Sequence, residues 1–149
     1  MKKIKRILYA TDYSKASARA LDEAVNLAKQ NNAELRIVHV IEPVTPYVTG
    51  EDFGGAELYV RLEETTMRDA QASMKKLMQR LERLGVKAKS LLLKGTPHEQ
   101  IVKAAKSRKT DMIVLGTHGR TGLSKLFLGS VAGRVVSTAH CPVVTVRGR

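Results

Sequence analysis

The chain has 149 residues, 43% of them hydrophobic, which suits one globular unit with an ordinary core. No apolar run reaches the length of a membrane span, and the lack of tryptophan and scarcity of aromatic residues argue against a base-stacking surface for single-stranded nucleic acid. The net charge of +12 is carried unevenly: residues 1–75 hold 11 Lys/Arg and 11 Asp/Glu, whereas residues 76–149 hold 15 and 3. A basic half-chain attracts polyanions, although most of its lysines read as a solvated surface. The single Cys141 excludes an intramolecular disulfide framework and points to a reducing cytoplasm.

Residues 4–10 form a short β-like run, too brief for the apolar core of a secretion signal. Ser14 then caps a helix whose apolar positions Ala18, Leu21, Ala24, Val25 and Ala28 follow helical spacing, and Asn31-Asn32 stops it. A second strand over 35–41 reads as buried on both faces. Next comes a Pro- and Gly-containing loop, 42–55, of a length that is usually functional or mobile. Leu58, Leu62, Ala70, Met74, Leu77, Leu81 and Leu84 mark one face of a long helix ended by Gly85. A third strand covers 87–93, and Thr96-Pro97-His98-Glu99 reads as a capping box with proline at the first helical position. That helix runs to about Ser107, with Ile101, Val102 and Ala105 inward. A fourth strand at 112–115, a glycine-containing loop, a helix from Ser130 and a last strand over Val143–Val146 complete the order β-α-β-α-β-α-β-α-β. Short, apolar strands alternating with helices specify a doubly wound α/β fold, a parallel sheet with helices on both faces.

The loop carries the chemistry. Gly116 and Gly119 stand directly after the fourth strand, and Gly129 and Ser130 stand at the start of the next helix. Glycine permits positive φ and a close backbone approach to a ligand. Successive N–H groups and a helix N-terminus add donors and a positive dipole end for phosphate. The connection is roughly 14 residues long where about 2–6 is usual, which favours a ligand role. It is neither a P-loop nor the Gly-x-Gly-x-x-Gly turn of dinucleotide folds. In such folds ligands sit beyond the carboxyl ends of strands where strand order reverses. Asp12, just after the first strand, faces the same crevice as Gly116 if the first and fourth strands are neighbours. It can accept hydrogen bonds from ribose or adenine, help hold Mg²⁺ among phosphate oxygens, or simply cap the helix turn with Ser14.

His39, His98, His118 and His140 show no zinc-ligand spacing. His118 lies in the loop, His39 reads as a satisfied strand residue, and Cys141 as a small buried side chain rather than a nucleophile. Arg120 and Lys125, with His118, are candidates for further phosphate contacts, the alternative for the two cations being simple solvation.

Gly116, Gly119, Gly129 and Ser130 fit Gly-x-x-Gly-x9-Gly-Ser/Thr, and here the chain resembles the universal stress proteins of the ATP-binding type. Asp12-Tyr13-Ser14 resembles that family's Asp-x-Ser turn, and the segment 139–146 resembles its final strand. Thr11 stands where proline is common before that Asp, a departure that leaves the site intact. The resemblance spans the whole chain as one nucleotide-binding domain and implies a five-stranded sheet of order 3-2-1-4-5. It implies adenine and ribose near the main chain of Val40 and the side chain of Asp12, and ribose at Gly116. It places phosphates on Gly119, Gly129, Ser130 and Val131. It also implies a homodimer through Val143–Val146, for which Pro142 suits an edge position.

Three functions follow as expectations. The first is a cytoplasmic ATP-binding stress or regulatory protein, with ATP, ADP or AMP as ligand and Mg²⁺ arriving with it. The second is a slow ATPase or autophosphorylating enzyme, with Ser130 or Ser124 as acceptor, although no general base or transition-state arginine is evident. The third is a nonspecific nucleic-acid binder, prompted by the basic half but accompanied by no recognition motif.

Overall fold

The computed structural model describes residues 2–44, 55–118 and 127–148. Its elements are β1 (Arg6–Ala10), α1 (Lys15–Asn31), β2 (Glu34–Ile41), α2 (Gly55–Arg83), β3 (Ala88–Lys94), α3 (Pro97–Ser107), β4 (Met112–Gly116), α4 (Ser130–Thr138) and β5 (Val143–Val146). The five strands form one all-parallel sheet of order β3-β2-β1-β4-β5. The doubly wound order expected from the sequence is therefore the one observed, with β1 between β2 and β4.

Strand side chains alternate between two apolar layers. Ile7, Tyr9, Leu35, Ile37 and Val114 face α1 and the C-terminal half of α2. Leu8, Val38, Ile113 and Leu115 face α3 and α4 on the other side. Small residues make the close approach possible: Ala20, Ala24 and Ala28 on α1, and Ala104, Ala105 and Ala132 on α3 and α4. Each fully buried leucine in such a layer contributes about 1.5–3 kcal/mol.

The helix ends follow the sequence with one exception. Ser14 caps α1 by accepting from the Ser17 N–H, and Asn32 closes it in the left-handed conformation. Gly85 takes positive φ (71°) just after α2, where a side chain would be strained. Pro97 opens α3, but the Thr96 hydroxyl makes no capping hydrogen bond, so the capping box does not form. Another correction concerns α2. Its stripe is buried at Ala70, Met74 and Leu81, whereas Leu58 is 68% and Leu62 47% exposed, because the first turns of this 29-residue helix run past the core. Leu84 is also exposed.

Asp111, immediately before β4, ties that strand to β1. Its Oδ2 accepts from the main-chain N–H of Lys5 (3.0 Å) and Arg6 (2.9 Å), and Lys2 pairs with Oδ1. Burial pushes this carboxyl upward, but the two amides and the ammonium outweigh it and hold it below its ordinary value.

Candidate functional site

The carboxyl ends of β1, β2 and β4 open into a cavity of about 650 Å³. The sheet order reverses here, with β2 on one side of β1 and β4 on the other, so the crevice between β1 and β4 is the topological switch point. Asp12 and Tyr13 line it from the turn after β1, His39 and Val40 from the end of β2, and Gly116 and His118 from the end of β4 and beyond. Gly129, Ser130 and Val131 line it from the start of α4.

The α4 end is a donor surface. Its N-cap is Gly129, which has no side chain to satisfy the first amides. The first intrahelical bond is Gly133 N–H to Gly129 C=O (2.8 Å), leaving the N–H groups of Ser130 and Val131 ahead of it at the cavity. The Gly129 N–H donates to the Thr117 carbonyl (2.6 Å), locking α4 to the end of β4. Neither Gly116 nor Gly129 is among the residues of positive φ, and Gly129 has φ −58°. Glycine is required for space instead. A Cβ at Gly129 would lie 2.8 Å from the Thr117 carbonyl oxygen, and one at Gly116 3.3 Å from that of Ala16. This corrects the conformational reason given from sequence while keeping the residues.

The turn after β1 is the other wall. The Thr11 N–H donates to the Val38 carbonyl (2.9 Å), pinning the turn to β2. Asp12 Oδ1 accepts from the Ser14 N–H (2.9 Å). Tyr13 has φ 61°, a left-handed conformation costing a non-glycine residue roughly 1–2 kcal/mol. Its N–H donates to Thr11 Oγ1 (2.9 Å), its hydroxyl to the Ala70 carbonyl of α2 (3.3 Å), and its ring lies 4.4 Å from that of His39. Burial, then the neighbouring Tyr9, pushes the Tyr13 phenol up to about 12, so it stays a neutral donor at pH 7. His39 Nδ1 sits 2.8 Å from the Thr11 carbonyl, which only accepts, so the proton is on Nδ1. His118 Nδ1 pairs with Thr117 Oγ1 (2.8 Å), and its buried Nε2 has no partner among the described residues.

A model described as the universal stress protein family matches residues 3–147. The chain belongs to that family. The universal stress protein MJ0531 of Methanocaldococcus jannaschii is 40% identical over 143 residues, covering 96% of this chain and 82% of the relative. Among solved structures, that of MJ0577 from the same organism superposes with a TM-score of 0.88 at 31% identity, covering 99% of each chain. Two more distant structures share the fold at 22% and 23% identity. One is a universal stress protein in complex with cAMP (TM-score 0.72, covering 97% of this chain and 98% of that one), the other the Archaeoglobus fulgidus protein in complex with dAMP (TM-score 0.58, covering 97% and 99%).

Of the residues singled out for the universal stress protein site, Asp12, Val40, Gly116, His118, Gly129, Ser130 and Val131 converge on the one cavity. Gly119, Arg120, Lys125 and Ser124 lie outside the described residues. Four more residues line the cavity: Tyr13, read from sequence only as the middle of the Asp-x-Ser turn, His39, read as a satisfied strand residue, and Thr66 and Ser73 of α2, given no role. Strand-end position beside the switch point was the signal available for His39. Nothing in the local sequence announces that α2 reaches across. Among the described residues no group of three His, Cys, Asp or Glu converges on a bare metal site, and no helix is long and apolar enough to cross a membrane.

Cys141 is half-buried rather than buried. Its thiol is pushed up by burial and by the Asp111 carboxylate, against a lowering hydrogen bond from the Ile113 amide. Alkylation of Cys141 at pH 8 is therefore expected to be slower than that of a free thiol and to accelerate as the pH rises. A rate equal to free thiol, followed by mass spectrometry, would contradict this.

Proposed function

We propose that this universal stress protein binds an adenine nucleotide in the switch-point cavity and acts as a cytoplasmic, nucleotide-responsive regulatory protein. The observation that carries the reading is the pairing of two unlike walls across one crevice. The uncapped α4 terminus presents the Ser130 and Val131 amides, and the turn opposite presents the Asp12 carboxylate. The amides and the positive end of α4 hold phosphates, with the loop residues Gly119, Arg120 and Lys125 completing that side. Asp12 takes the ribose hydroxyls, while the Val40 main chain and Gly116 flank adenine and ribose. Mg²⁺ would arrive with the phosphate oxygens, and Asp12 is the carboxylate that would help hold it. The cAMP and dAMP complexes of the two distant fold relatives agree with the ligand class. A second copy pairs along β5, an edge strand preceded by Pro142 and only half covered.

The test is thermal unfolding with ATP, ADP and AMP. At a hundredfold excess over Kd the ligand is expected to stabilise the fold by roughly 2.7 kcal/mol. No shift with any of the three would contradict the proposal.

A further inference from the structure

The cavity wall that carries Asp12 is organised by a hydroxyl chain with a single possible direction. Ser17 Oγ lies 3.0 Å from the Ser14 carbonyl, which can only accept, so the one Ser17 hydroxyl proton is committed there. Thr11 Oγ1, 2.9 Å from Ser17 Oγ, must then donate to it. That leaves the Thr11 oxygen to accept the Tyr13 N–H at 2.9 Å. The chain therefore runs from Tyr13 N–H through the Thr11 and Ser17 hydroxyls to the Ser14 carbonyl. Both hydroxyl residues are nearly inaccessible, Thr11 8% and Ser17 4% exposed, so water does not replace a lost link at no cost. The bonds span Asp12: Thr11 precedes it, Tyr13 follows it in left-handed conformation, and Ser14 N–H binds its Oδ1.

We propose that Thr11 is a positioning residue of the site: its hydroxyl, as the central link of this one-way chain, sets the turn that aims Asp12 into the cavity. The inference rests on the nucleotide reading given above, and adds to it the residue that orients its carboxylate. Thr11 lines the cavity, but its hydroxyl is committed within the chain. It acts through Asp12 and Tyr13.

Thr11→Val keeps the shape and the main-chain bond to Val38 but removes the donor and the acceptor. Its Kd for ATP by titration calorimetry is expected to rise about tenfold, because a binding group held loosely loses its geometry. Thr11→Ser restores both hydrogen bonds and is expected to return Kd to within about twofold of the parent. Leu81→Ala, in the core layer away from the cavity, serves as the control: it destabilises the fold and leaves Kd unchanged. Ser17→Ala cuts the same chain one link later and replaces Thr11→Val if that variant does not fold. Parent-like binding by Thr11→Val, failure of Thr11→Ser to restore affinity, or an equal loss in Leu81→Ala would each overturn the inference while leaving nucleotide binding standing. A parent protein that takes up no ATP would overturn both.

Discussion

Gly129→Ala is expected to abolish nucleotide binding while the protein still unfolds cooperatively. Alanine suits the backbone there, since φ is −58° and ψ 157°. What it lacks is room. Its Cβ would sit 2.8 Å from the Thr117 carbonyl oxygen and 3.5 Å from the His118 Cα, both main-chain atoms with no flexible end to yield. The Gly129–Thr117 hydrogen bond must then break or lengthen, and the first turn of α4 moves with it. Overpacking of this kind costs about 1–3 kcal/mol of stability. The Ser130 and Val131 amides are displaced together, so the loss in affinity exceeds what that destabilisation alone would give. Gly116→Ala is the milder comparison, its nearest contact being 3.3 Å from the Ala16 carbonyl. Calorimetric titration of both variants with ATP checks the order; undiminished affinity in Gly129→Ala would show that the phosphates lie elsewhere.

Asp111→Ala should do the reverse, lowering stability and leaving affinity unchanged. The carboxylate is 6% exposed and is the acceptor for the Lys5 and Arg6 amides at the start of β1, at the far end of the sheet from the cavity. A buried hydrogen bond to a charged group contributes about 1.5–3 kcal/mol; the Arg6 bond is part-buried, whereas the Lys5 bond and the Lys2 pair are exposed and add less, so a loss of about 2–4 kcal/mol in denaturant unfolding is expected. The pH dependence has a definite sign. The folded carboxyl is held below its ordinary value of 3.8, so its contribution is complete above that value and is lost as the pH falls through the lower, folded one. Asp111→Ala should remove that part of the acid sensitivity. An unchanged acid limb would contradict the assignment.

These two residues also show what a sequence discloses. Gly129 was legible as a candidate for the cavity it lines because three glycines after an apolar strand, with Ser130 at a helix start, favour a phosphate loop over ordinary turn punctuation. Yet the reason lay in the Thr117 carbonyl, which only the folded chain brings near. The doubly wound parallel sheet was legible in the β-α alternation, and its strand order only through the family resemblance. The apolar stripe of α2 was legible too, but not which of its turns reach the core: at about 100° per residue Leu58 stands roughly 140° round the helix from Leu81, and no residue of α2 before Ala70 is buried. Thr96 and Glu99 have the spacing of a capping box, and the Thr96 side chain does not use it. Asp111 and the Thr11–Ser17 chain went unread because most of their partners are main-chain atoms set by the fold, for which residue identity carries no signal.

Adenine nucleotide bound between Asp12 and the start of α4 would leave a local signature in the amide chemical shifts during titration with ATP. The largest changes are expected at Ser130 and Val131, with accompanying changes at Gly116, Asp12 and Val40 and none around Asp111. Saturating ATP with unmoved Ser130 and Val131 amides, or with the main changes on another face of the protein, would contradict it.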